Sequence, residues 1–109
     1  MNIIVDQTDN HTKVTIAGRL DTITAPEFEA TVRQAIEKEK KHVIIDCAEL
    51  IYISSSGLRV FLMAQKMILA KQAKLSLCCL QSNIREIFDI SGFSQIFTTY
   101  TDLDTAVNS

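Results

Sequence analysis

The sequence predicts a small α/β domain with a mixed sheet and right-handed crossovers. Two observations carry that prediction. Short runs rich in β-branched residues alternate with longer segments whose apolar residues recur every three or four positions. The run Val43-Ile44-Ile45 is apolar on both faces, as an interior strand would be, whereas the first two strand-like runs are joined by a short polar turn that suits an antiparallel pair.

Taken in order, Ile3 to Gln7 and Lys13 to Ala17 read as two strands around the turn Thr8-Asp9-Asn10-His11-Thr12, with Gly18 punctuating the strand end. Thr24-Ala25-Pro26-Glu27 has capping-box spacing with proline in the first turn, so it opens a helix. Phe28, Val32, Ala35 and Ile36 form the buried stripe of that helix, and the charged segment Glu37 to Lys41 is its frayed end. An interior strand spans His42 to Asp46. The next helix is capped by the serines at 54–56 and turns Leu58, Phe61, Leu62, Ile68 and Leu69 toward the core. A second buried strand covers Leu75 to Leu80. Ser82-Asn83 caps a helix carrying Ile84, Ile87 and Phe88 and stopped by Gly92. Phe93 to Tyr100 supplies a last strand, and Thr101-Asp102-Leu103-Asp104 begins a terminal helix that buries Leu103, Ala106 and Val107.

Composition narrows the function. The 109 residues are enough for one core, and 47% hydrophobic with 22% charged residues is a globular balance. A net charge of −2, with lysines grouped only at Lys38, Lys40 and Lys41, offers no cationic patch for nucleic acid. The first residues lack the pattern of a signal peptide and no apolar run approaches spanning length, so a cytoplasmic protein without membrane insertion is expected. Cys47, Cys78 and Cys79 are odd in number and set in apolar strand contexts, which suits buried free thiols. Adjacent Cys78 and Cys79 are expected on opposite faces of a strand, and with His11 and His42 at no ligand spacing from them, no metal site is expected.

Two polar clusters fall where strands run out into helices, the usual place for ligands and partners in such folds. One is Gly18-Arg19-Leu20-Asp21 and the other is Ser54-Ser55-Ser56-Gly57. The serines read either as a helix cap or as hydroxyls open to modification at the positive end of the helix dipole. Asp21 reads as a turn cap and Arg19 as a solvated cation; Asp46 is expected to order the serine loop by accepting backbone N–H groups. On the serine-capped helix, Val60, Met63 and Met67 form a second stripe, expected outward and adaptable. A serine nucleophile would want a base, yet no G-x-S-x-G elbow is present and the histidines lie at a turn and a strand start, so no enzymatic activity is expected.

Gly18-Arg19-Leu20-Asp21 leading into Ala25, the strand ending at Asp46, Leu50, Ser55-Ser56-Gly57-Leu58, the Ile84 to Phe97 segment and Asp104 to Val107 together resemble, in order and spacing, the STAS domain of anti-sigma factor antagonists. The resemblance covers nearly the whole length. It implies a single STAS domain over residues 1–109, a mixed sheet with helices packed mainly on one face, and no cofactor. It further implies a cytoplasmic protein that binds an anti-sigma factor, often a serine kinase, and so frees the sigma factor, with a phosphatase as a further partner. In this family phosphorylation of a serine in a D-S-S-G-L motif switches binding off; the serine before glycine corresponds to Ser56, with Ser55 next. The implied partner-binding set is Asp21, Ser54, Ser55, Ser56, Gly57 and Arg59, joined by Val60, Met63 and Met67. The chain departs from the motif at Ser54, where the family commonly has aspartate, and so lacks a carboxylate beside the acceptor. The alternative reading is a non-phosphorylated STAS adaptor subunit bound to a transporter ATPase or another signalling complex.

Overall fold

Alternation along strand β3, His42–Ile53, sets the layers of the molecule. Val43, Ile45 and Cys47 point into the main core, while Ile44 points to the opposite face and packs with Cys78 and Ala106. The computed structural model describes residues 1–39 and 41–109. Around β3 are β1 (Asn2–Gln7), β2 (Thr12–Leu20), β4 (Lys74–Cys78) and β5 (Thr98–Tyr100), in the sheet order β1-β2-β3-β4-β5. The β1–β2 pair is antiparallel and the other three pairs are parallel. Helices α1 (Ala25–Lys38), α2 (Ser55–Ala70) and α3 (Ser82–Ile90) contribute to the main core, and among the described residues only the short α4 (Leu103–Val107) covers the other face. The mixed sheet with helices mainly on one face is therefore observed.

The phenylalanines knit the helical layer to itself. Phe61 of α2 lies 5.4 Å from Phe28 of α1 and 5.6 Å from Phe88 of α3, centroid to centroid, and Phe93 and Phe97 close the cluster around Phe88. Tilted and edge-on pairs of this kind add attraction beyond the area they bury. At the far end of the layer, Lys71 donates from Nζ to the carbonyls of Ile36, Glu37 and Glu39. An ammonium there satisfies orphan carbonyls at the negative end of α1.

Several boundaries differ from the sequence reading. Strand β2 does not stop at Gly18 but bends there and continues to Leu20, with Gly18 at φ +105° beside a shift in register against β3. Strand β3 runs on past Asp46 to Ile53. Strand β4 ends at Cys78 because Cys79 takes φ +67°, so Cys79 and Leu80 leave the strand. The segment from Phe93 forms a 3₁₀ turn over Phe93–Gln95 before β5, since Phe93 and Phe97, four residues apart, pack at 5.7 Å as a helical pair would. Thr24 makes no side-chain cap bond to α1, and the N-cap of α3 is Gln81 rather than Ser82 or Asn83. Within the charged tail, Glu39 is buried and accepts a bond from Thr12 Oγ1 at 2.6 Å, while Lys40 lies outside the described residues.

The largest difference is the phase of α2. Its buried residues are Gly57, Val60, Phe61, Ala64 and Ile68. Leu69 is 63% exposed and Leu62 is only half-buried, away from the core cluster, whereas Val60 is 4% exposed. The outward ridge is Ser55, Arg59, Leu62, Lys66 and Leu69, at the alternating four and three spacing of a helix face.

This phasing makes opposite expectations for two apolar positions of the same helix. Phe61→Ala should lower the unfolding free energy by about 3–5 kcal/mol, whereas Leu69→Lys should change it by no more than about 0.5 kcal/mol. Urea melts of the two variants decide it; a large loss for Leu69→Lys would return α2 to the other phase.

Candidate functional site

Leu20 ends β2 and Ile53 ends β3, and the two are register partners in a parallel pair. Their chains therefore leave the sheet side by side, and the ladder is extended by one bond, Ser54 N donating to Leu20 O at 2.9 Å. Both residues are buried, so the loop over residues 21–24 and the start of α2 rise from a packed base.

Ser54 is the cap of α2. Its backbone is extended, its carbonyl accepts from Leu58 N at 2.9 Å, and its Oγ accepts from Gly57 N at 3.3 Å. The hydroxyls of Ser55 and Ser56 are thus released from capping. Ser55 is exposed, and half-buried Ser56 makes one long side-chain contact, Oγ to Thr22 Oγ1 at 3.4 Å. No acidic residue occupies the first turn. The cap and the accessible hydroxyls are therefore different residues of one run.

Gly57 faces the other way. A methyl added at its α carbon would sit 2.7 Å from Leu20 Cγ and 2.9 Å from Ile53 Cγ1. Gly57 therefore serves the site by close packing and offers no surface to a partner, contrary to its place in the expected binding set. The same correction applies to Val60, buried by the rotation of α2 described above. Met63 and Met67 are half-buried along the core margin, and Met67 Sδ lies 3.7 Å from Arg33 Nη1 of α1. The expected stripe fails because it stands one residue, about 100°, from the true outward ridge.

Asp21 holds the neighbouring loop. Its Oδ1 accepts from the backbone N–H of Ile23 at 3.0 Å and of Thr24 at 3.1 Å, and from Thr24 Oγ1 at 3.2 Å. The Thr24 backbone bond above all holds the Asp21 carboxyl below its ordinary value. Thr24 Oγ1 lies nearer Arg19 O, at 2.8 Å, so its single proton is shared between that carbonyl and Asp21 Oδ1. Arg19 lies 4.1 Å over the Tyr52 ring and 4.0 Å from Asp21 Oδ2, so it is stacked rather than simply solvated. Asp46, expected to order the serine loop, accepts from Ala48 N at 3.1 Å instead, within its own strand.

Between α1 and α2 runs a groove of about 410 Å³, lined by Thr22, Pro26, Glu29 and Arg33 on one side and Ser56, Arg59 and Val60 on the other. It continues along the helices past Leu62, Met63, Lys66 and Met67. Arg33 is paired with Glu29 at 3.1 Å, whereas Arg59 has no ion pair or hydrogen bond among the described residues. Sequence reasoning missed Ile23, which is 88% exposed in the loop beside the serines, and the Leu62–Lys66 part of the ridge. An isoleucine between two threonines in a turn was the available signal for Ile23. Both histidines lie at the other end of the sheet, where His11 contacts Thr8 and His42 Nε2 lies 2.8 Å from Ser76 Oγ. Neither histidine therefore stands beside the serines.

The sequence model of the STAS domain matches residues 2–106. BtrV of Bordetella bronchiseptica, named as a candidate anti-sigma factor antagonist, is 34% identical over 97% of this chain and 91% of its own. The anti-sigma-B factor antagonist of Listeria monocytogenes is 33% identical over 88% of this chain and 87% of its own. In three dimensions the chain is similar to an anti-sigma factor antagonist from Mycobacterium paratuberculosis, with a TM-score of 0.90 at 21% identity over 98% of this chain and 91% of that one.

The geometry sets separate costs for the residues of the loop pair. Gly57→Ala should destabilise the fold by about 1–3 kcal/mol through overpacking, and Ser54→Ala by about 1 kcal/mol through loss of the cap. Ser55→Ala should be nearly neutral; chemical denaturation ranks the three, and a Gly57→Ala protein of full stability would refute the close approach. A separate test concerns Asp21. Because its folded pKa lies below the ordinary 3.8, its contribution to stability is full above that value and is lost as pH falls through the lower folded one. Carboxyl-carbon NMR titration should give a midpoint under 3.8, and a midpoint at or above it would show that the turn opens in solution.

Proposed function

The chain belongs to the STAS domain family, and from that premise we propose that residues 1–109 act as one unit, an anti-sigma factor antagonist of the cytoplasm that is switched by phosphorylation at Ser56. One observation carries the switch. Ser54 performs the capping, so the hydroxyls of Ser55 and Ser56 stand at the start of α2 with no duty that folding requires. The relatives named as anti-sigma factor antagonists, aligned over most of this chain, support the partner class. The role is one of binding, with the chemistry supplied by a kinase and reversed by a phosphatase.

Ser54 in place of aspartate fits this reading. Aspartate and serine are both good N-caps, so the exchange keeps the structural role while removing one negative charge beside the acceptor. A phosphate on Ser56 would add about −1.5 to −2 charges at neutral pH. At the positive end of α2, in a first turn that has no acid, the fold accommodates that charge. Arg59, one turn further on in the same groove and without an ion pair among the described residues, favours it as well. A partner surface bearing carboxylates or apolar groups would be repelled or left with an unpaired charge. The contact surface proposed in place of the Val60, Met63 and Met67 stripe is Ile23 and Thr22 of the loop with Ser55, Ser56, Arg59, Leu62 and Lys66 of α2.

Treatment with the cognate anti-sigma kinase should add one phosphate, located at Ser56 by mass spectrometry and absent from Ser56→Ala. Ser56→Asp should weaken binding of the anti-sigma factor by about tenfold or more while far-ultraviolet circular dichroism and melting cooperativity stay unchanged. Phosphate that persists on Ser56→Ala would move the acceptor to Ser55. Partner binding with no phosphorylation at either serine would favour the adaptor reading, and unchanged affinity of Ser56→Asp in calorimetry would refute electrostatic exclusion.

A further inference from the structure

Away from the serine end, on the face of the sheet covered by α4, Asp46, Cys78 and Cys79 converge so that one carboxylate oxygen and two sulfurs all lie within 4.8 Å of one another. Asp46 and Cys78 are register partners on adjacent strands and share a face by the pleat. Cys79 would point to the opposite face if the strand continued. Its left-handed backbone, with N–H donated to Tyr100 O at 3.0 Å, returns it instead to the group around Cys78. A non-glycine residue in that region is uncommon, so the fold bears a cost to bring the second thiol beside the first.

We propose that Asp46, Cys78 and Cys79 form a binding site for a thiophilic divalent cation of the zinc class. Two thiolates and a carboxylate are a donor set that suits zinc and disfavours magnesium or calcium. Two sulfurs on a tetrahedral zinc stand about 3.7 Å apart, given Zn–S bonds of about 2.3 Å. The two sulfurs, within 4.8 Å of each other, need to approach by no more than about 1 Å to reach that spacing. Asp46 Oδ1 accepts from Ala48 N at 3.1 Å, which orients the carboxylate as an outer partner would orient a ligand. Cys79 and Asp46 are half-buried and Cys78 is fully buried, so the site is reached from the Cys79 side with the fourth position left to water. Binding forms two metal–sulfur bonds and releases one proton from each thiol; no electrons are exchanged. Cys47, although buried nearby in sequence, packs in the core on the other face and is not a ligand.

Cadmium titrated into the reduced full-length chain should produce a thiolate charge-transfer absorbance that saturates at one ion per chain, with two protons released in weakly buffered solution. Zinc in large excess should compete with the cadmium and diminish the band. Cys79→Ser, at a half-buried position that tolerates the change, should reduce the absorbance by at least half and weaken binding, and Asp46→Asn, which keeps the Oδ1 bond to Ala48, should weaken it by about tenfold or more. Cys47→Ala should leave the titration unchanged. Absence of the band, survival of full binding in Cys79→Ser, or its loss in Cys47→Ala would each overturn the assignment. Should Cys78→Ser fail to fold, the Cys79 and Asp46 variants still decide the question.

Discussion

The missing side chain of Gly57 is the constraint on which the functional end of this protein depends. Leu20 and Ile53 close two paired strands and are buried, so neither can retreat from an added methyl. The helix must therefore present its glycine to the sheet, and that choice fixes the rotation of everything after it. Phe61, Ala64 and Ile68 follow inward; Arg59, Leu62 and Lys66 follow outward. The accessibility of Ser55 and Ser56 is thus set by a contact on the other side of the same helical turn.

How much of this was readable in the sequence varied by element. The five strands and four helices among the described residues were foreseen, because runs such as Val43-Ile44-Ile45 and the serine cap of α2 act locally, even though the caps read at Thr24 and at Ser82-Asn83 do not form. The phase of α2 was not readable. With Leu58, Val60, Phe61, Leu62, Met63, Met67, Ile68 and Leu69, the helix is apolar on most of its circumference, so hydrophobic spacing alone admits two rotations. The small residues Gly57 and Ala64, seven apart, marked the true inner face, but small side chains signal close approach only when the opposing surface is known. Cys79 was misplaced for a related reason. Alternation along a strand holds only while the strand lasts, and the left-handed residue that ends β4 is cysteine rather than glycine, so no local sign announced it.

The serine run shows how one structural position can look ambiguous until its members are separated. Read as a block, the serines were either a cap or a switch. In the fold the first hydroxyl does the capping, Ser55 is exposed and half-buried Ser56 opens on the groove, so the cap is assigned to Ser54 and the other two hydroxyls are left free of it. The loop over residues 21–24 is built by the same logic, with the Asp21 carboxylate spent on backbone N–H groups and the neighbouring Thr22 and Ile23 left to the surface. In both cases a short polar side chain rigidifies the backbone and its neighbours meet the solvent, which limits the conformational entropy that a partner must remove on binding.

The order of strands in the sheet carries a consequence for how the chain acquires its fold. Each strand lies beside its predecessor in sequence, from β1 to β5, with no strand inserted between earlier ones. A ribosome releasing the chain from its amino end therefore delivers every new strand to an edge that is already in place, beginning with the β1–β2 hairpin, whose pairing needs only a short loop closure. Growth at the edge opposite β1 leaves few alternative pairings there, and β5, only three residues long, closes that edge with few backbone groups left to recruit a neighbouring nascent chain.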